Sequence, residues 1–240
     1  MSSSSIRSRT PRRSSPDSTA DARERLLQAA HDMVWAQGAA HFRVLDVAAR
    51  AGANVALINY HCGGREGLLR EVLRHNSAAV AKVRADRLDA LVEACAPRPP
   101  PMEEVLKAWL RPVFEGVQRR QSGTMHALVS HLMFAAGMDE ASRRTLVPEI
   151  LQVDARFLEV LARCRPDLTR RTIAWRMASA IGGYNYVFAQ EEPTGVRDTA
   201  PANAAPASFE EAYQELLAFM VGGFGAPAPQ PAKKARRPTR

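Results

Sequence analysis

A chain of 240 residues with 46% hydrophobic and 24% charged residues can bury the core of one or two domains. Its three cysteines, Cys62, Cys95 and Cys164, are scattered without CxxC pairing, which argues against a disulfide framework or zinc cluster and for a reducing cytosol. No apolar run approaches the roughly 18 residues of a transmembrane helix, so a soluble, cytoplasmic protein with no membrane partner is expected.

The formal net charge of +8 suggests nucleic acid, but it sits at the two ends. Residues 1–20 carry Arg7, Arg9, Arg12, Arg13 and Asp17, net +3, and residues 226–240 carry Lys233, Lys234, Arg236, Arg237 and Arg240, net +5. Residues 21–225 are therefore net zero. Both ends have too few apolar residues to offset ordering entropy and read as disordered basic tails. Such tails are either solvated chain or a source of non-specific phosphate affinity that weakens with salt. The arginines near the start precede no apolar segment, so no secretory signal is expected there.

Between the tails the apolar periodicity is helical. Leu26, Leu27, Ala30, Met33 and Val34 form a stripe that ends near Gly38, with Asp21 as its expected N-cap. Leu45, Val47 and Ala48 lie on a short second helix that stops at Gly52, a suitable residue for the left-handed turn. Asn54 is the expected cap of a third short helix, Val55 to His61, before Gly63 and Gly64. A long fourth helix starts at about Arg65 and carries Leu68, Leu69, Val72, Leu73, Val80, Val83, Leu88 and Leu91 at helical spacing.

After the break at Pro97–Pro101, helices are expected over Met102–Arg120, Thr124–Ala136, Asp139–Cys164 (kinked before Pro148), Thr169–Gln190 and Ser208–Gly222. Glu191–Ala207, with three prolines, reads as a long loop. No strand-like alternation and no internal repeat occurs, so the expected fold class is all-α.

Three short helices with a glycine turn between the second and third fit a helix-turn-helix. The turn is Arg50-Ala51-Gly52-Ala53-Asn54. Gly52 permits the backbone that redirects the chain, Asn54 caps the next helix, and Ala48, Ala49 and Ala51 let two helices approach closely. Leu26, Leu45, Val47, Ile58 and Leu69 read as core. Residues 21–72 hold six arginines and six acids, so this unit has no bulk positive charge.

The run "ARERLLQAAHDMVWAQGAAHFRVLDVAARAGANVALINYHCGGREGLLREVL" resembles the N-terminal domain of TetR-type regulators along its whole length. The pieces that carry the likeness are "RLLQAA", "QG", "VLDVAARAGAN" and "INYHCGGREGLL". The resemblance implies a homodimer that sets two recognition helices into successive major grooves of a palindromic double-stranded DNA operator, with half-sites roughly 34–36 Å apart. It also implies a helix-turn-helix domain at residues 21–72 and a helical ligand-sensing and dimerisation domain at residues 73–225, all-α throughout.

Carried over by position, Asn54, Val55, Ala56 and Leu57 stand nearest base edges, and Asn59, Tyr60 and His61 where relatives touch phosphates and bases. Arg65 replaces a phosphate-binding lysine at a helix start, where free N–H groups also favour an anion. Arg43, at the start of the second helix, is a further phosphate candidate. The chain departs from the pattern at Phe42, where a hydroxyl residue is usual, and at Cys62, where Phe is usual. Cys62 is then either a redox switch beside DNA or a smaller hydrophobe in a core position.

The likeness also implies a ligand cavity in the following helices. Trp109, Val113, Phe114 and Val117, then Met125, His126, Val129, His131, Met133 and Phe134, are its candidates, and they suit a small, largely apolar effector. "LKAWLRPVFEGV" and "RMASAIGGYNYVFA" look similar to a branch that includes sensors of fatty-acyl compounds. Dimerisation falls on the last two helices, through Ile173, Met177, Ala180, Tyr184, Val187 and Phe188 on one and Phe209, Tyr213, Leu216, Leu217 and Met220 on the other. Core packing explains these stripes equally well.

His126 and His131 are five positions apart and on different helix faces, so no metal pair is expected. No GxSxG, HExxH or phosphate-binding glycine loop occurs, so neither catalysis nor a cofactor is expected. Two readings of control follow: a dimeric repressor released by its effector, or a regulator governed by a protein partner or by Cys62 oxidation.

Overall fold

A computed structural model describes residues 16–39, 41–120, 128, 132, 144–189 and 208–228. Among them the regular structure is all helical, and no helix is long and apolar enough to cross a membrane.

The first helix, α1 (Pro16–Gln37), starts ahead of the expected Asp21 cap. Proline suits a helix's first turn, where its missing N–H costs nothing. Asp21 lies inside the helix, 3.8 Å from Arg25. Residues 16–20, expected in the tail, are helical. Residues 1–15 and 229–240 lie outside the described residues.

α2 (Val44–Ala51) and α3 (Val55–Cys62) are both closed by a left-handed glycine, Gly52 at φ 60° and Gly63 at φ 71°. At the α2 end Ala53 N–H donates to the Ala48 carbonyl at 2.9 Å and Gly52 N–H to that of Ala49 at 3.2 Å. This paired closure satisfies carbonyls that a helix end would otherwise leave open.

α4 (Arg65–Cys95) runs for 31 residues, straight through the expected domain boundary after residue 72. Its first half builds one core: Leu68, Leu69, Val72 and Leu73 pack with Leu26, Val34, Val47 and Ile58. Its second half builds another with α5 (Met102–Arg120), α6 (Pro148–Cys164), α7 (Arg170–Ala189) and α8 (Phe209–Gly225). Leu128, Leu132, Leu146 and Val147 belong to the first core, and Ile150 packs against both.

Of the expected helix Thr124–Ala136 only Leu128 and Leu132 are described, both helical and buried. The expected helix Asp139–Cys164 is interrupted rather than merely kinked. Val147 leaves the helical region at φ −136° and ψ 52°, and Pro148 opens α6. Residues 139–143 and the expected loop Glu191–Ala207 lie outside the described residues.

The second core is organised by a charge. Apolar periodicity puts Val83 inside and Arg84 in water, but Val83 is exposed and Arg84 is only 1% exposed. Arg84 Nε donates to the Trp109 carbonyl at 2.7 Å, and its Nη1 donates to Asp154 Oδ1 at 3.2 Å. Trp109 Nε1 donates to the same oxygen at 2.7 Å, and the guanidinium lies 4.3 Å from the Trp109 ring centroid. Burial pushes the Asp154 carboxyl above its usual range, against Arg84 and Trp109, which pull it down. One turn on, Pro112 sits inside α5 and cannot donate back along the helix. Arg84 thus joins α4 to α5 through a carbonyl and to α6 through a carboxylate.

Removing one partner of such a pair strands the other charge. Arg84→Met should lower the unfolding free energy by about 3–5 kcal/mol in equilibrium urea melts. Arg84→Lys should recover less than half of it, because an ammonium lacks the fork that meets both acceptors.

Candidate nucleic-acid interface

α3 is anchored by one buried residue and presents the rest. Ile58 is fully buried, whereas Asn54, Ala56, Asn59 and Tyr60 are exposed, Tyr60 by 82%. The Tyr60 ring meets the His61 ring edge-on at 4.9 Å. Val55, Leu57 and Cys62 are half-buried and lean on the first core. The Asn54 side chain accepts from Ala56 N–H at 2.9 Å, as its capping position predicts.

The remaining sequence candidates divide. Arg43 is the exposed N-cap of α2 and forms no side-chain capping bond. His61 is half-buried, and its Nε2 has no hydrogen-bond partner among the described residues. Arg65 is already committed: its Nε donates to the Phe42 carbonyl at 3.2 Å, Nη2 to Ala39 at 2.5 Å and Nη1 to Glu66 at 2.7 Å. Its described role is to clasp the α1–α2 turn onto the start of α4. Phe42 is buried in the first core, so Arg43 rather than Phe42 occupies the cap.

One further correction concerns this unit. Leu45, expected in the core, is 67% exposed on α2. The Cys62 thiol is pushed up chiefly by burial, against the pull of Arg23. A raised thiol is a poorer nucleophile, so the position favours the small-hydrophobe reading. Reading by sequence also missed Arg25, whose Nε donates to the Ala51 carbonyl at 3.3 Å and holds α2 against α1. That tie spans 26 positions and leaves no local pattern.

In the second unit, Trp109, Val113 and Phe114 are buried in or beside the core of α4–α8. The Val117 side chain and Met125, His126, Val129, His131, Met133 and Phe134 lie outside the described residues. The dimerisation stripes face inward. Ile173, Met177, Ala180, Tyr213, Leu217 and Met220 are buried within the protomer, and Leu216 packs against the same core. Tyr213 meets Phe114 edge-on at 5.3 Å and Arg111 at 4.5 Å. The Tyr184, Val187, Phe188 and Phe209 side chains are outside the description.

The outward face of α7 and α8 carries different residues, Trp175 at 66% and Phe219 at 69% exposed. A groove of about 420 Å³ between them is lined by Thr172, Ser179, Gly223 and the two aromatics, among others. Arg165 and Arg176 hold the end of α8: both donate to the Phe224 carbonyl, and Arg176 reaches Ala226 and Pro227 at 2.9 Å. Ala226 and Pro227, expected in the tail, are thus tied to the fold.

Loss of the Arg65 clasp leaves carbonyls unpaired. Arg65→Met should destabilise the protein by about 1–3 kcal/mol, and Asn54→Ala by about 1 kcal/mol, in chemical unfolding. If Arg65 serves chiefly as a clasp, DNA affinity should fall no further than the loss of folded protein explains.

Residues 26–72 match the family described as bacterial regulatory proteins, tetR family. Residues 107–223 match the tetracyclin repressor-like C-terminal domain. A chain described as a transcriptional regulator from Pseudomonas aeruginosa PAO1 superposes with a TM-score of 0.55 at 18% identity, over 89% of this chain and 93% of that one. A tetR-family regulator from Shewanella sp. PV-4 does so with 0.54 at 13% identity, over 85% and 95%. These two likenesses are of fold. No curated protein matches the chain. With a helix-turn-helix matching one family domain and a helical bundle matching the other, the chain belongs to the TetR family of DNA-binding transcriptional regulators.

Proposed function

We propose that the chain is a homodimeric repressor that reads a palindromic operator and leaves it when a small, largely apolar effector binds the second unit. Residues 21–72 form the DNA-reading unit in this proposal, and residues 73–225 sense the effector and dimerise. The observation that carries the DNA reading is α3 itself. Capped at both ends and pinned by Ile58, it presents Asn54, Ala56, Asn59 and Tyr60 to solvent with no acidic residue among them.

Dimerisation is assigned to the outward face of α7 and α8, not to the buried stripes. Trp175 and Phe219 would stay in water on a lone protomer, and paired aromatics of this size are the usual centre of an interface. Two-fold pairing there sets two α3 helices a fixed distance apart.

The effector's path to DNA runs along α4, which belongs to both cores. Trp109, Val113 and Phe114 support an apolar ligand beside α4. A ligand that prefers a different α4 tilt draws the population toward it. Moving that equilibrium from 1:99 to 99:1 takes a preference of about 5.5 kcal/mol.

DNA selection with the purified protein should enrich a palindromic site. Tyr60→Ala should bind that site at least about fivefold more weakly, the lower end of what one base contact contributes, with an unchanged melting temperature. Selection that enriches no palindrome, or a Tyr60→Ala protein with wild-type affinity, contradicts the proposal. Trp175→Glu combined with Phe219→Glu should give a folded monomer in sedimentation and abolish cooperative occupancy of the two half-sites.

A further inference from the structure

α4 and α6 run side by side in one direction. Arg84 of α4 meets Asp154 of α6, and Asp89 meets Arg156, pairs separated by 70 and 67 positions. At the other end Arg74 feels the charge of Glu149. Both helices finish in a cysteine at the same end of this parallel pair: Cys95 ends α4 and Cys164 ends α6.

Other observations place the two thiols together. Cys164 Sγ donates to the Pro100 carbonyl at 3.1 Å, in the turn that directly follows α4. The Cys164 thiol is pushed up mainly by burial, but also by the negative charge that Cys95 acquires on ionising, which acts only at short range. Both thiols are free and half-buried. Parallel packed helices keep their axes about 8–10 Å apart, and a disulfide needs Cα atoms roughly 4.4–6.8 Å apart. A disulfide between the ends of the two helices therefore requires their last turns to draw together.

We infer that Cys95 and Cys164 are a paired oxidation site, closed to an intrachain disulfide by a hydroperoxide. One thiolate sulfur attacks the peroxide O–O bond, becoming a sulfenic acid and releasing water or an alcohol. The second sulfur then attacks the sulfenic sulfur and expels hydroxide, which leaves as water with the thiol proton. Two thiols lose two electrons and the peroxide gains them. Burial raises the Cys164 thiol, which suits it to resolve a sulfenic acid formed on Cys95 rather than to attack the peroxide itself. The bond fixes the far end of α4 to α6 and so restrains the helix whose near end carries α1–α3. It stands apart from Cys62, which belongs to the other core.

The test uses the full chain, reduced, freed of reductant, treated with hydrogen peroxide and digested without reduction. The expected result is a linked peptide pair containing Cys95 and Cys164, with one of three thiols still titrating and all three returning after dithiothreitol. Cys164→Ser should trap a dimedone-reactive sulfenic acid at Cys95, and Cys95→Ser should leave Cys164 as a thiol under the same dose. The oxidised wild type should melt several degrees higher than the reduced protein, and neither serine variant should show that gain. Three thiols surviving oxidation, linkage through Cys62, or crosslinking only between chains overturns the inference.

Discussion

A guanidinium that has lost its water must find oxygen, and in this protein that need joins three helices. Arg84 takes the Trp109 carbonyl of α5 and the Asp154 carboxylate of α6, and it lies against the indole that donates to the same carboxylate. An apolar side chain at this place would fill space without direction. The ion pair fixes the rotation of α4 about its axis, because only one face can deliver the charge. That rotation in turn sets where Leu68, Leu69 and Leu73 point, and hence where the first core forms. α4 contributes to both cores, and the buried charge ties its second half to α5 and α6.

At the other end of that rod the controlling bonds run to backbone. Arg65 and Arg25 each reach a main-chain carbonyl on another segment, and Gly52 and Gly63 close their helices through main-chain bonds. Such contacts fix helix directions while leaving the exposed side chains of α3 free to differ. A reading helix benefits from that division, since its outward residues decide specificity and its inward ones decide stability.

How much of this was legible in the sequence depends on distance along the chain. The Gly52 closure and the Asn54 cap are written within a few residues, and periodicity located nearly every helix. Arg84 was not legible, because a lone arginine in a helical pattern belongs by default to the wet face. Val83 took its place for the same reason. Arg65 resembled a phosphate ligand by position, but its acceptors Phe42 and Ala39 lie 23 and 26 positions away. On α7 and α8 periodicity finds apolar stripes that suit a dimer face and a core equally well, and their described residues pack into the protomer's own core. A helix apolar on two faces has one for its own core and one to spare, and periodicity alone does not say which is which. Trp175 and Phe219 stand on the face turned away from that core.

The balance of charge in the first unit bears on how such a surface can bind a polyanion. Six arginines and six acids leave residues 21–72 without net attraction. Several of those arginines are occupied within the fold: Arg23 by Glu71 at 2.7 Å, Arg25 by Ala51, and Arg65 by the α1–α2 turn. Arg43 at the cap of α2, Arg50 near its end and Arg70 on α4 remain on the surface. A surface with so few cations displaces few counterions, and each phosphate contact contributes a salt slope of only about 0.9. In the function proposed above, recognition by this unit rests on direction: the exposed Asn59 amide and Tyr60 ring, on a helix capped by Asn54 and pinned by Ile58. Asn is a residue type suited to pairing with the edge of adenine. In that proposal, a neutral unit gains discrimination by relying less on bulk electrostatic attraction, which attracts every sequence alike.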